Sequence, residues 1–223
     1  MRKPSSFVGT TQQVAAALLR MAGFVAYYVI LIALIVWVAV TYARAEPLAA
    51  RQYRADLTRE AHAHWGLDAP IALLAGQVEQ ESAWRPNVCS PYACGLAQFT
   101  SGTATWISAR YGNLLGGANV FNPQWALRAL VIYDRDLYRA RATAATDRDR
   151  WAFTLSSYNG GAGNLNREIA KCRALPPCDP SRWEGHVDGQ SARADWAYRE
   201  NRGYPRAIFR RQLAYTHWGR TVL

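Results

Sequence analysis

Between Arg20 and Arg44 the chain carries no charged residue, and the middle of that stretch, residues 29–40, reads Val-Ile-Leu-Ile-Ala-Leu-Ile-Val-Trp-Val-Ala-Val. As a helix, Met21 to Ala43 would extend ~35 Å at ~1.5 Å per residue, enough to cross the hydrocarbon core of a bilayer. Such a run is expected to partition into lipid, so whatever else the chain builds must fold without it. Arg2, Lys3 and Arg20 are the charges that precede it, which favours a cytoplasmic segment over 1–20, although Arg44, Arg51 and Arg54 on the far side weaken the bias. Ala43-Arg44-Ala45 also fits a small-x-small cleavage site. Two readings therefore stay open, a transmembrane signal anchor over 21–43 or a signal peptide removed near Ala45. Both export the remainder, the first as a single-pass inner-membrane protein with its domain in the periplasm.

Export bears on the cysteines. Cys89, Cys94, Cys172 and Cys178 fall into two sequence-close pairs, which in an oxidising compartment points to two short-loop structural disulfides, although other connectivities and free thiols remain open. Neither pair has C-x-x-C spacing and the histidines form no ligand pattern, so no metal and no cofactor are expected. The formal charge is +10. Without Arg2, Lys3 and Arg20, 23 basic residues still face 16 acidic ones, so the exported part is itself basic, at +7. That field attracts anionic polymers, a cell wall among them. With no Lys/Arg block interleaved with aromatics, nucleic acid is not an expected partner.

Residues 44–56 are Ala/Arg-rich with little apolar periodicity and read as a juxtamembrane stalk. A folded domain is expected over 57–223. Apolar residues recur at helical spacing in about 69–84, 103–111, 123–140, 149–158 and 205–217, and no stretch alternates as a strand, so the domain is expected to be all-α. Gly and Pro punctuate the intervals, while 172–203 is the least legible part.

One carboxylate stands out. Asp68 is placed to cap a helix with Pro70 in its first turn, and Ile71, Leu74, Ala75 and Val78 form one apolar face. At ~100° per residue Glu81 lies within about 20° of Leu74, whereas Glu79 points about 160° away from Glu81. A carboxyl that continues an apolar face loses hydration in its charged form and is held protonated near neutrality, as a proton donor must be. The alternative is a helix-end Glu that turns to solvent or pairs with Arg85.

Four motifs in order then resemble the lytic transglycosylases of the soluble-lytic-transglycosylase type, lysozyme-like enzymes of glycoside hydrolase family 23. Glu81-Ser82-Ala83-Trp84-Arg85-Pro86 resembles the family's Glu-Ser motif. Gly95-Leu96-Ala97-Gln98-Phe99 followed by Gly102-Thr103-Ala104 resembles its Gly-Leu-Met-Gln motif. Ser157-Tyr158-Asn159-Gly160-Gly161 is similar to Ala-Tyr-Asn-x-Gly, and Glu200-Asn201-Arg202-Gly203-Tyr204 to Glu-Thr-Arg-x-Tyr. Asn122-Pro123 fits a spacer, and the resemblance covers roughly 57–217. Ala97 and Ser157 depart from the usual Met and Ala, and the Cys89–Cys94 segment is one residue short.

The resemblance implies a lysozyme-like helical fold and cleavage of the β-1,4 bond between N-acetylmuramic acid and N-acetylglucosamine in peptidoglycan. It makes Glu81 the sole general acid and base. The substrate's acetamido group would assist and a 1,6-anhydro product would form. Ser82, Gln98, Tyr158, Asn159, Glu200 and Tyr204 become candidate substrate-side residues, with Tyr158 beside the acid and Glu200 in the supporting shell. Trp65, Trp84, Trp106, Trp125 and Trp151 are open as sugar platforms or core. A hydrolytic goose-type muramidase and a catalytically weak wall-binding scaffold are the competing readings. Secretion, conjugation and phage-lysis assemblies are the candidate partners beyond the wall and membrane.

Overall fold

The computed structural model describes residues 8–43 and 46–222, and the chain divides into two compact units, the second beginning at Glu46. Arg2, Lys3 and the Arg44-Ala45 part of the cleavage-site reading lie outside the described residues. The first unit is one helix, α1 (Val8–Ala43). Its window Leu18–Trp37 is long and apolar enough to cross a membrane, and none of that window is buried.

The second unit is all helix and loop: α2 (Leu48–Arg51), α3 (Arg54–Trp65), α4 (Ile71–Ser82), α5 (Ser101–Arg110), α6 (Gly112–Leu115), α7 (Pro123–Arg139), α8 (Asp147–Gly160), α9 (Ala162–Arg173) and α10 (Asp195–Arg211). Among the described residues there is no strand; only isolated bridges tie Cys94 to Cys89 and Phe99. Helix starts follow local chemistry. Thr100, Asn122 and Thr146 each accept the N–H three residues ahead, from Thr103, Trp125 and Asp149, and Pro123 fills the first helical position of α7.

α4 is the central helix. Every residue from Ile71 to Val78 is buried, and α10 and the 3-10 turn Gln212–Tyr215 pack on it. Gly76 permits that approach, since a Cβ there would lie 2.8 Å from the Gln212 nitrogen.

Three expectations are corrected. The unit begins at Glu46, not at 57: Ala50 and Tyr53 are in the core, and Glu46 accepts the Trp218 indole N–H at 2.5 Å, so 46–56 is no stalk. Asp68 does not cap α4. Pro70 (ψ 63°) is the residue at the N-cap, with no side-chain cap, and Asp68 lies outside the first turn. α10 begins at Asp195, ten residues before the expected 205, because a face of Asn201, Tyr204, Ile208 and Phe209 buried in the core outweighs the one hydrogen bond Pro205 removes. Glu79 does diverge from Glu81, yet it is not left to water: Tyr215 donates to it at 2.6 Å and Arg211 pairs with it.

Candidate active site

α4 ends abruptly after Ser82. Ala83 (φ 49°) and Trp84 (φ 62°) both take the left-handed conformation, which costs a non-glycine residue of order 1 kcal/mol, and the burial of Trp84 against Tyr53, Tyr215 and Trp218 offsets it. This reversal leaves Glu81 in the last turn, where the buried stripe opens into a cleft. Two adjoining depressions, of about 520 Å³ and about 400 Å³, share Glu81, Asn159 and Glu200 in their walls. The acid therefore stands at the junction of the two.

Among the described residues Glu81 has one hydrogen-bond partner, the Tyr204 hydroxyl, which donates to Oε1. Loss of hydration pushes the carboxyl up to about 8, with nearby Glu200 adding to the rise and Tyr204 opposing both. Arg85, the alternative partner, bonds the Ser82 carbonyl instead. Since Oε1 is engaged by Tyr204, Oε2 is the oxygen left to carry the acidic proton.

α10 supplies one wall. Trp196, Glu200 and Tyr204, four residues apart, lie along one face of the helix, and 65 % of the Trp196 surface is exposed at the cleft. α8 supplies the opposite side with Tyr158 and Asn159. The loop 88–100 supplies the rim, held by the Cys89–Cys94 disulfide. Gly95 is obligatory in that loop: its φ is +81°, and a Cβ would meet the Val120 carbonyl at 1.9 Å.

The candidate residues divide in three. Tyr204 and Asn159 reach the acid or the cleft directly; Asn159 donates to Glu200 at 3.3 Å and accepts from Asn201 at 2.9 Å. Tyr158 lines the cleft and stacks on Tyr204, but its hydroxyl donates to the Ala97 carbonyl at 2.7 Å, so Tyr204 and not Tyr158 is the partner of the carboxyl. Gln98 likewise spends its Nε2 on the Val88 and Gly95 carbonyls, both at 3.0 Å, bracing the rim rather than presenting that N–H to a ligand. Ser82 leaves the site: it is buried and donates back to the Val78 carbonyl at 3.2 Å. Glu200, expected in a supporting shell, is exposed in both depressions.

Behind the cleft lies a group that sequence reasoning missed. Glu168 of α9, with no exposed surface, pairs with Arg193 at 2.7 Å and Arg202 at 2.9 Å. Arg202 also donates to Asn201, which donates to Ser156 of α8 and to Asn159. Arg193 donates to the Gly160 carbonyl and packs so closely that a Cβ on Gly160 would lie 1.6 Å from its Nη1. The cluster ties α8, α9 and α10 together and fixes Asn159. Nothing in the irregular 172–194 stretch marks Arg193 in advance. Trp196 was hidden with it, whereas Trp84, Trp125 and Trp151 are core, Trp65 packs on Trp151, and Trp106 is half-exposed against the cleft residue Tyr133. Cys172 and Cys178 are bridged beside the cluster, and Ser157, the departure in the third motif, is buried and accepts from Arg141 at 3.3 Å.

A helical domain with one desolvated carboxylic acid at the middle of an open trough belongs to the lysozyme-like class of folds. Solved structures agree on the fold. The 70 kDa soluble lytic transglycosylase SLT70 of Escherichia coli matches over 75% of this chain and 25% of its own, with a TM-score of 0.54 and 22% identity. The 70-kDa soluble lytic transglycosylase in complex with bulgecin A matches over 73% and 24%, with a TM-score of 0.50 and 23% identity. The family described as Transglycosylase SLT domain matches residues 57–177, and the chain belongs to that family. The membrane-bound lytic murein transglycosylase F of Marinobacter nauticus is 31% identical over 131 residues, 57% of this chain and 23% of the relative. The chain thus spans about a quarter of the length of the curated relative it matches.

Proposed function

We propose that the chain is a peptidoglycan lytic transglycosylase, cutting the β-1,4 bond between N-acetylmuramic acid and N-acetylglucosamine. The observation that carries this is Glu81: a carboxyl kept protonated by burial, opening at the junction of two depressions, with one hydrogen bond from Tyr204. As the acid, Glu81 gives the Oε2 proton to the bridging oxygen; the acetamido group of the muramyl residue stabilises the developing cation. Now a carboxylate, Glu81 takes the proton of the sugar's 6-hydroxyl as that oxygen closes the 1,6-anhydro ring, which restores the starting acid. Tyr204 stabilises the charged interval by donating to Oε1. Asn159, Glu200 and the exposed face of Trp196 supply the polar and flat surfaces that seat the sugars, while Gln98 and Tyr158 hold the rim. Residues 21–43 anchor the domain at the inner membrane, facing the periplasm.

Glu200 supports a second reading. It is another carboxylate in the same trough, and paired carboxylates are what hydrolytic glycosidases employ, so a goose-type muramidase is the alternative. Mass spectrometry of the products from purified sacculi separates the two: anhydro-muropeptides support the transglycosylase, and products one water heavier replace it with the muramidase. Binding of sacculi without release of any fragment leaves only a wall-binding scaffold.

A further inference from the structure

α7 repeats the pattern that singles out Glu81. Leu127, Leu130 and Val131 form a buried face, and Asp134 continues it at the i+7 position. Asp134 has no exposed surface. Its hydrogen bond comes from Gln77 of α4, equally buried, whose Nε2 donates to Oδ1 at 3.4 Å. No basic side chain lies close enough to offset a charge there among the described residues.

Among the described residues Gln77 Oε1 and Asp134 Oδ2 both lack a partner. They are the remaining oxygens of the two planar groups that already touch. An ionised carboxylate offers acceptors only, so with Asp134 charged both atoms stay orphaned and a bare anion is buried as well. One proton removes all of these penalties. Placed on Oδ2, it makes Asp134 a donor, Gln77 Oε1 accepts, and acid and amide close a two-bond ring.

We propose that Asp134 is a permanently neutral acid whose Oδ2–H donates to Gln77 Oε1, and that this acid–amide ring is the uncharged floor on which Glu81 alternates between acid and base. The second half rests on the function proposed above. Burial pushes the Asp134 carboxyl well above its ordinary range, the Gln77 bond opposes this, and Glu81 adds to the rise. The other titratable groups around it are Tyr133 on its own helix, Tyr158 on α8 and Tyr204 on α10, all raised first by burial and therefore neutral at working pH. Glu81 is then the member of the cluster that changes charge during turnover. A second anion beneath it would oppose the carboxylate it must become in the closing step. Asp134 is on this account a positioning residue, touching no substrate.

Infrared difference spectroscopy of the full chain tests the first half. Glu81→Gln is compared with Glu81→Gln/Asp134→Asn at neutral pH, and the expected result is one protonated-carboxyl C=O band present in the first and lost in the second. No such band overturns the proposal, whether or not the chain digests sacculi. If the double variant does not fold, carbon-13 NMR of aspartate-labelled Glu81→Gln decides instead: one carboxyl should keep its protonated shift through neutrality, and ordinary titration of every aspartate sinks the idea. For the second half, Asp134→Asn preserves a neutral ring. Its rate should stay within about threefold of wild type, and the basic limb of its pH–activity profile within about 0.3 unit. A fall of that limb by about one unit or more would show that Asp134 had carried a charge.

Discussion

Glu81 and Glu168 are glutamates of one helical domain, both drawn out of water, and they end in opposite charge states. Burial raises both. At Glu168 the hydrogen bonds and charges of Arg193 and Arg202 outweigh it, and the carboxyl falls below its ordinary range; at Glu81 no cation answers, and the carboxyl rises to about 8. The same side chain is thus a fixed anion in a structural knot and a movable proton in a cleft. Burial alone does not mark a reactive acid; burial without a counter-ion, at an opening, does.

The sharpest way to break that distinction is Glu81→Gln, which should lower sacculus digestion by ~10²–10⁴-fold while leaving sacculus binding and the circular dichroism spectrum unchanged. Residual activity near wild type would move the proton donor elsewhere. Glu168→Leu should do the reverse. It strands Arg193 and Arg202 in the interior and should cost about 3–5 kcal/mol, read as a fall in Tm of roughly 10 °C, with activity lost only in proportion to unfolding.

Next in size is the opposite pH dependence of the two acids. The Glu168 contribution is present above the ordinary carboxylate range and is lost as pH falls through its depressed folded value. For Glu81 the sign inverts: the folded state holds its proton more tightly, so stability is intact below the ordinary value of 4.5 and drains away as pH rises towards about 8. Calorimetry should accordingly find Glu81→Gln more stable than wild type by roughly 5 °C above pH 8, and little different near pH 4. Equal Tm values at both ends would mean that Glu81 is solvated. The smallest effect belongs to Tyr204→Phe. Its hydroxyl favours the carboxylate, so its removal should shift the basic limb of the activity profile upward by about one unit and slow the donation of the proton by about tenfold.

How much of this was legible beforehand follows the range of the interactions. A helical wheel needs only neighbours within two turns, and it placed Glu81 at the end of a buried stripe; the same wheel on α7 would have picked out Asp134. The four motifs placed Tyr158, Asn159, Glu200 and Tyr204 together. Which tyrosine touches the acid was not readable, because it depends on the loop carbonyl of Ala97 capturing the Tyr158 hydroxyl 61 residues away. For Gln98 and Ser82 the motifs give proximity, and only coordinates show that the Ser82 hydroxyl and the Gln98 Nε2 go to backbone carbonyls while Gln98 stays in the wall of the larger depression. The start of α10 was hidden by Gly203 and Pro205, which locally argue against a helix that packing against α4 and α8 sustains. Arg193 depends wholly on tertiary contact with Glu168 and Gly160, and no local signal announces it.

The rim of the trough has a consequence of its own. Ser90, Tyr92 and Ala93, which edge the larger depression, are suspended between the two sulfurs of Cys89 and Cys94. Reduction of that bridge would leave the stretch to the Ser90–Ala93 and Val88–Gly95 backbone hydrogen bonds, at 2.8 and 2.9 Å, so the lip of the trough would slacken without coming apart.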